Sequence, residues 1–186
     1  MPWIQTYRSK AFRLIDPRPE SVCIEDIAHS LASVCRFGGH CDPPGYSVAQ
    51  HCVHCADIVS EPYKLDALLH DAGEAYYGDF TRPVKLVLRE MTAYHNRAGA
   101  GNHFDDWIRR IDRLVASVFR LSSPMPIEVV AADNIMLATE ARDLMGPPPE
   151  PWVEMPQPLP HTVRPWPRAE ALAQFMRIYH EYKRAA

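Results

Sequence analysis

His70 and Asp71 stand side by side in Leu-Leu-His-Asp-Ala-Gly-Glu-Ala-Tyr-Tyr-Gly-Asp, where an apolar run ends in metal-binding and acid–base side chains. His51 upstream and Asp133 far downstream each fall on the apolar face of a predicted helix. Desolvating an unpaired charge is costly, so inward-facing imidazoles and carboxylates need a partner, and a divalent cation is the simplest one. Neutral imidazole and ionised carboxylate are ligands that zinc, manganese, cobalt or iron accept. Nitrogens from His51 and His70 with carboxylates from Asp71 and Asp133 leave positions open for water and substrate, whereas structural zinc sites are closed and usually thiolate-rich. A cation held this way lowers the pKa of a water and polarises an electrophile, most readily a phosphoryl oxygen. Glu74 lies one helical turn beyond His70, on the same face, where it could serve as an acid–base group.

The elements that must position these residues are helical by periodicity. Ile24, Ile27, Ala28, Leu31, Val34 and Cys35 recur at three- and four-residue steps, predicting a helix that ends before Gly38-Gly39. Ser47-Val48-Ala49-Gln50 has the form of a capping box, after which Val48, His51, Cys52, Cys55, Ala56 and Val59 trace one face. Leu65, Leu68, Leu69 and Ala72 predict the helix that delivers His70-Asp71 and runs to near Gly78, and Pro83 suits the first turn of the next. Asn96 to Asn102 reads as a loop. Trp107, Ile108, Ile111, Leu114, Val115, Val118 and Phe119 then follow at helical spacing, and Pro126 opens a helix carrying Val129, Val130, Asp133, Met136, Leu137 and Glu140. There is no internal repeat and no convincing strand-like alternation. The expected fold is all-α, a single-domain multi-helix bundle over residues 1–186 with its core at about 20–145.

Gly146 to Pro167 differs, with prolines at 147, 148, 149, 151, 156, 158, 160, 165 and 167. Such a stretch favours extended, polyproline-like structure. It is read as a stiff strap over the domain's own surface leading to a last helix at 168–184, in preference to a docking arm anchored by Trp152 and Trp166.

Composition narrows the function class. A net charge of −3 offers no basic footprint for polymeric nucleic acid. No run approaches the ~18 apolar residues a membrane span needs, and Met-Pro-Trp-Ile-Gln-Thr-Tyr-Arg lacks the order of a signal peptide. Five cysteines suit free thiols in a reducing cytoplasm, so a cytoplasmic protein is expected. Cys52-x-x-Cys55 beside His51 and His54 invites a zinc-knuckle reading, but no second pair accompanies it, and Cys35 and Cys41 have the wrong spacing. Cysteine-nucleophile catalysis would leave His70, Asp71 and Asp133 unexplained.

The pattern His51 … His70-Asp71 … Asp133 resembles the HD superfamily of metal-dependent phosphohydrolases. The stretch from His70 to Lys85 is similar to the corresponding part of bacterial 5′-deoxynucleotidases, Tyr46 to His51 is similar to their first metal-ligand helix, and Arg36-Phe37 resembles their Arg-aromatic pair beside the substrate phosphate. Short phage and bacterial HD hydrolases, including deoxyadenosine triphosphate triphosphohydrolases, share this layout. The resemblance covers most of residues 20–145. It implies that His51, His70, Asp71 and Asp133 bind a divalent metal (zinc, cobalt, manganese or similar, with magnesium a further candidate for a triphosphate substrate), and that Asp71 and Glu74 are catalytic, Glu74 positioning the attacking water. It further implies that Arg36 and Phe37 line the phosphate site, Asp79 meets the deoxyribose hydroxyl, and Lys85 adds positive charge. The implied substrate is a small deoxynucleotide, mono- or triphosphate, handled by a homo-oligomer. Alternatives are a non-catalytic nucleotide- or metal-binding protein of the same fold, or a phosphodiesterase on another ester. The sequence departs from the larger nucleotidases in a shorter interval from His51 to His70 and in Phe37 standing where they have tryptophan.

Overall fold

The computed structural model describes residues 2–95, 103–150, 152 and 154–185; the loop expected at 96–102 lies outside the described residues. A short hairpin, β1 (Trp3–Gln5) and β2 (Ala11–Arg13), precedes helices α1 (Ile24–Leu31), α2 (Val48–Ile58), α3 (Lys64–Leu69), α4 (Glu74–Tyr77), α5 (Arg82–His95), α6 (His103–Phe119), α7 (Ile127–Leu144) and α8 (Arg168–Ala185). The chain is thus mostly helical, as its periodicity implies.

Helix α2 is the axis of the packing. Ser47 caps it by accepting a hydrogen bond from the Gln50 amide at 3.2 Å. Val48, Ala49, Gln50, His51, Cys52, Val53, Cys55 and Ala56 are all buried, so the helix is covered nearly all round rather than along one stripe. It packs on α1, α3, α7 and α8, whose core side chains include Ile27, Leu31, Leu68, Met136, Leu144 and Phe175. Gln50 does not complete the capping box; its side chain serves the strap instead.

Three departures from simple periodicity matter. The hairpin corrects the expectation of a chain without strands: Trp3, Ile4 and Gln5 pair with Arg13, Phe12 and Ala11, and Ser9 turns the chain with φ of 57°. Three-residue strands are too short to display alternation, and what fixes them is burial of Phe12, whose ring stacks on Tyr76 at 3.8 Å. Helix α1 ends at Leu31, and Arg36–Gly39 form a tight turn in which Phe37 adopts φ of 57° and ψ of 27°.

The third departure bears on the site. The helix expected to run through His70-Asp71 is broken there. Amides of Ala72, Glu74, Ala75 and Tyr76 donate to carbonyls three residues back, at 2.9–3.3 Å, so the segment tightens before α4 begins. Gly73 is required at this bend, because a Cβ would collide with the Asp112 carboxylate and the Tyr77 ring.

The strap over 159–167 is tied to the domain, in accord with the sequence. Leu159 N–H donates to Thr139 Oγ1 at 2.9 Å, Arg142 donates to the carbonyls of Leu159 and His161, and Val163 N–H donates to Asp143 at 2.8 Å. Gln50 then donates to the Arg164 carbonyl and accepts from Trp166 N–H, both at 2.8 Å.

Asp112 yields a pH-dependent test of this packing. Burial, with Asp71 adding to it, pushes its carboxyl up from 3.8 to about 6 despite the 3.0 Å hydrogen bond from Tyr77. A carboxyl raised in the folded state favours folding while protonated, so its contribution is full below the ordinary carboxylate pKa and is lost as pH rises to about 6. Asp112→Asn keeps the acceptor for Tyr77 and removes the ionisation. It should raise stability by about 1–3 kcal/mol at pH 8 and by almost nothing at pH 3, as read from urea midpoints.

Candidate metal centre

The two imidazoles are fixed by their outer nitrogens. His70 Nδ1 is 2.7 Å from the Ala67 carbonyl, which can only accept, so this nitrogen carries the hydrogen. His51 Nδ1 lies 2.6 Å from the fully buried carboxylate of Glu140, which fixes the same tautomer. Both Nε2 lone pairs consequently point inward, 3.3 Å apart. Asp133 Oδ1 is 3.2 Å from His51 Nε2 and 3.9 Å from His70 Nε2, while Asp71 Oδ2 is 3.2 Å from His70 Nε2 and 3.8 Å from His51 Nε2.

Acceptor atoms packed this closely repel one another unless positive charge lies among them. Ligands at about 2.1 Å from a common cation sit roughly 3.0 Å apart at octahedral and roughly 3.4 Å apart at tetrahedral angles, and the observed separations of 3.2–3.9 Å are close to those values. Charge counting agrees. Asp71, Asp133 and Glu140 are all held below the usual carboxylate range: burial opposes this in each case, and the neighbouring His51, His70 or Arg36 outweighs it. Three anions against the single guanidinium of Arg36 leave about two negative charges, which a divalent cation neutralises. Burial alone would depress the His70 pKa, yet the adjacent Asp71 helps drive it well above the ordinary imidazole value, the same demand met by a proton. The residues present therefore fit a divalent metal.

Glu140 was legible in the sequence only as one more residue on the Asp133 face of its helix. In the fold its Oε1 accepts from His51 and from the Tyr46 hydroxyl at 2.8 Å, and its Oε2 accepts from Arg36 Nε at 2.9 Å. Its partners lie about a hundred residues away, a separation that carries no periodic signal. Two helical turns from Asp133 on one face was the available hint.

Arg36 Nη1 lies 3.6 Å from Asp71, and its guanidinium carbon lies 5.6 Å from the Phe37 ring centroid. Glu74 is 3 % exposed, ruling out a solvated helix face; Oε1 is 3.4 Å from Lys85 Nζ, and Oε2 is buried without a hydrogen-bond partner. Asp79 is half-buried, its carboxyl raised by burial and balanced by Arg36 and Lys85, which places it in the same electrostatic neighbourhood. The expected residues are thus brought together. The largest cleft, about 450 Å³ between β1, α1 and α4, is lined by residues such as Tyr7, His29 and Tyr76 and by none of these.

The thiols are closer to the centre than a core role requires. Cys55 Sγ is 3.5 Å from His51 Nε2, and among the described residues two thiol-containing groups, His51–Cys55–His70 and Cys52–His70–Asp71, could hold an ion. The two sulfurs fall in different groups, which argues against a knuckle built on the Cys-x-x-Cys pair. Burial raises the Cys52 thiol and leaves it fully covered, a poor setting for a nucleophile.

Two variants test the centre directly. His70→Ala should abolish stoichiometric uptake of Mn(II) or Zn(II) measured by equilibrium dialysis, with the far-ultraviolet helical signal retained. Glu140→Gln should weaken metal affinity by about 10–100-fold, because it removes the charge that fixes His51. Unchanged metal affinity in both would show that no cation is held here.

No family model matches the chain. It is 37 % identical over 144 residues to the uncharacterized protein YfdR of Escherichia coli (strain K12), an alignment covering 77 % of this chain and 73 % of YfdR. It is 33 % identical over 159 residues to the uncharacterized protein RCAP_rcc00048 of Rhodobacter capsulatus, covering 77 % and 74 % of the two chains. Identity at that level across most of both chains reflects common descent, and the protein belongs to the family that includes YfdR and RCAP_rcc00048.

Proposed function

We propose that this protein is a metal-dependent phosphohydrolase of the HD type acting on small nucleotides, with 2′-deoxyribonucleotides as its substrate class. The observation that carries this reading is the convergence of two fixed Nε2 lone pairs and two carboxylates, 3.2–3.9 Å apart, beside a buried arginine and a buried, half-unpartnered glutamate. His51, His70, Asp71 and Asp133 would hold the cation, which supplies Lewis acidity toward a phosphoryl oxygen and lowers the pKa of water.

The chain's own residues have separable tasks. Glu140 occupies Arg36 Nε, leaving the two Nη groups for a bidentate phosphate contact. Glu74 Oε2, buried and without a partner, is the atom suited to take the proton of the attacking water, while Lys85 near Oε1 favours the ionised carboxylate that must do so. Attack at the phosphorus nearest the sugar breaks its ester link and releases the deoxynucleoside, with phosphate leaving from a monophosphate or triphosphate from a triphosphate. Asp79, raised by burial and lying in the field of Arg36 and Lys85, is the carboxylate available to a sugar hydroxyl.

The experiment is a panel of ribo- and deoxyribonucleoside mono-, di- and triphosphates incubated with metal-loaded protein, with nucleoside, phosphate and triphosphate separated. Hydrolysis confined to a non-nucleotide phosphoester would refute the nucleotide assignment. Glu74→Gln should lower turnover by roughly 10²–10⁴-fold with metal occupancy retained. A site that reads the 3′-hydroxyl should handle 2′,3′-dideoxynucleotides much more slowly than 2′-deoxynucleotides, and Asp79→Ala should erase most of that difference. Equal rates on both sugars with the intact protein would remove Asp79 from the sugar site.

A further inference from the structure

The proline-rich segment does more than return the chain to α8. Among the described residues of 146–158, no hydrogen bond to the rest of the domain is made; the first is at Leu159. Trp152 nonetheless meets the site, its ring centroid 6.5 Å from that of Phe37 with the planes inclined by 39°. Phe37 is held beside the Arg36 guanidinium by a turn in which it takes a left-handed backbone conformation, φ 57°, that a phenylalanine rarely adopts. A strained turn and a stiff arm thus bring two aromatic rings to one place next to the phosphate-binding arginine.

The spacing between those rings is informative. Where this chain stacks rings directly, Tyr7 on His29 and Phe12 on Tyr76, the centroids are 3.8 Å apart. Phe37 and Trp152 are not stacked on each other at 6.5 Å. Two successive stacking layers need about 7 Å, so the gap is close to the room for one planar ring between them. Phe37 is half-buried and Trp152 is 39 % exposed, so one wall is anchored and the other keeps an open face. The prolines flanking Trp152 limit the freedom its arm loses on closing over a ligand.

We infer that Phe37 and Trp152 form an aromatic clamp for the base of the nucleotide whose phosphate is bound at Arg36. This rests on the nucleotide reading proposed above and assigns it a recognition element: a planar heteroaromatic ring, one sugar away from the phosphate. Stacking of this kind accepts any base, with the larger purine ring system gaining more than a pyrimidine.

The test measures affinity by calorimetry in the full chain for three probes: 2′-deoxyadenosine 5′-monophosphate, 2-deoxyribose 5-phosphate, and deoxyadenosine. Trp152→Ala should raise the ratio of the nucleotide Kd to the sugar-phosphate Kd by about ten-fold, and Trp152→Phe should restore most of it. An unchanged ratio in Trp152→Ala would overturn the clamp, as would an equal loss for both phosphates. Deoxyadenosine separates this inference from the phosphohydrolase reading. Nucleoside binding that Trp152→Ala abolishes supports the clamp even if no phosphate ester is hydrolysed; hydrolysis of nucleotides with no effect of Trp152→Ala on any base-bearing probe leaves the enzyme reading standing and sinks the clamp.

Discussion

Glu140, a carboxylate with no exposure to solvent, takes hydrogen bonds from Arg36, Tyr46 and His51. Those partners come from the turn before α2, the segment leading into α2 and α2 itself, whereas Glu140 belongs to α7. A buried carboxylate is tolerated only when its lone pairs are filled and its charge is balanced, and removing one partner from such a pair costs roughly 3–5 kcal/mol. The interaction therefore fixes how α7 lies against α2. In doing so it sets the tautomer of His51 and the direction of the Arg36 guanidinium, and it places Asp133, two turns earlier on the same helix, against His51.

The rest of the site is arranged by departures from regular helix. An unbroken helix would have carried Glu74 around with His70. The tightened segment after Leu69 instead ends one helix and starts another, putting His70 and Asp71 on the cation side and Glu74 at the head of a short helix with one oxygen free. Gly73 permits the close approach of Asp112 and Tyr77 that holds this bend. The left-handed backbone of Phe37 is a second such place, and it too adjoins a residue of the site. Strain gathered in this way fits a centre whose geometry is set before any ligand arrives.

Around this polar centre the packing is conventional. The apolar faces of α1, α3, α7 and α8 close over α2, and the strap is held by side chains of the helices it crosses, Gln50, Thr139, Arg142 and Asp143. None of the described helices is long and apolar enough to cross a membrane. The electrostatic demand in the middle of the bundle is what sets the protein apart: about two unbalanced negative charges, met in the absence of a metal by protons on imidazole.

The sequence by itself determined the helices and the chemistry of the ligands. Three- and four-residue spacing reveals which face of a helix is buried, and so it placed His51 and Asp133 inward and marked His70-Asp71 as needing a partner. Proline content marked the strap for a similar reason, since missing amide hydrogens and a fixed φ are local properties. Only the tertiary structure decided what depends on contacts between distant segments. Glu140 carries no local mark of its role because its donors lie far away in the chain. The hairpin forms because Phe12 finds Tyr76, not because three residues alternate. The break at His70–Gly73 follows from packing against Asp112 and Tyr77, and Trp152 meets Phe37 through the path of an arm whose composition says only that it is stiff. Local spacing encodes the direction of a side chain relative to its own helix; which groups it then meets is settled by how the helices close on one another.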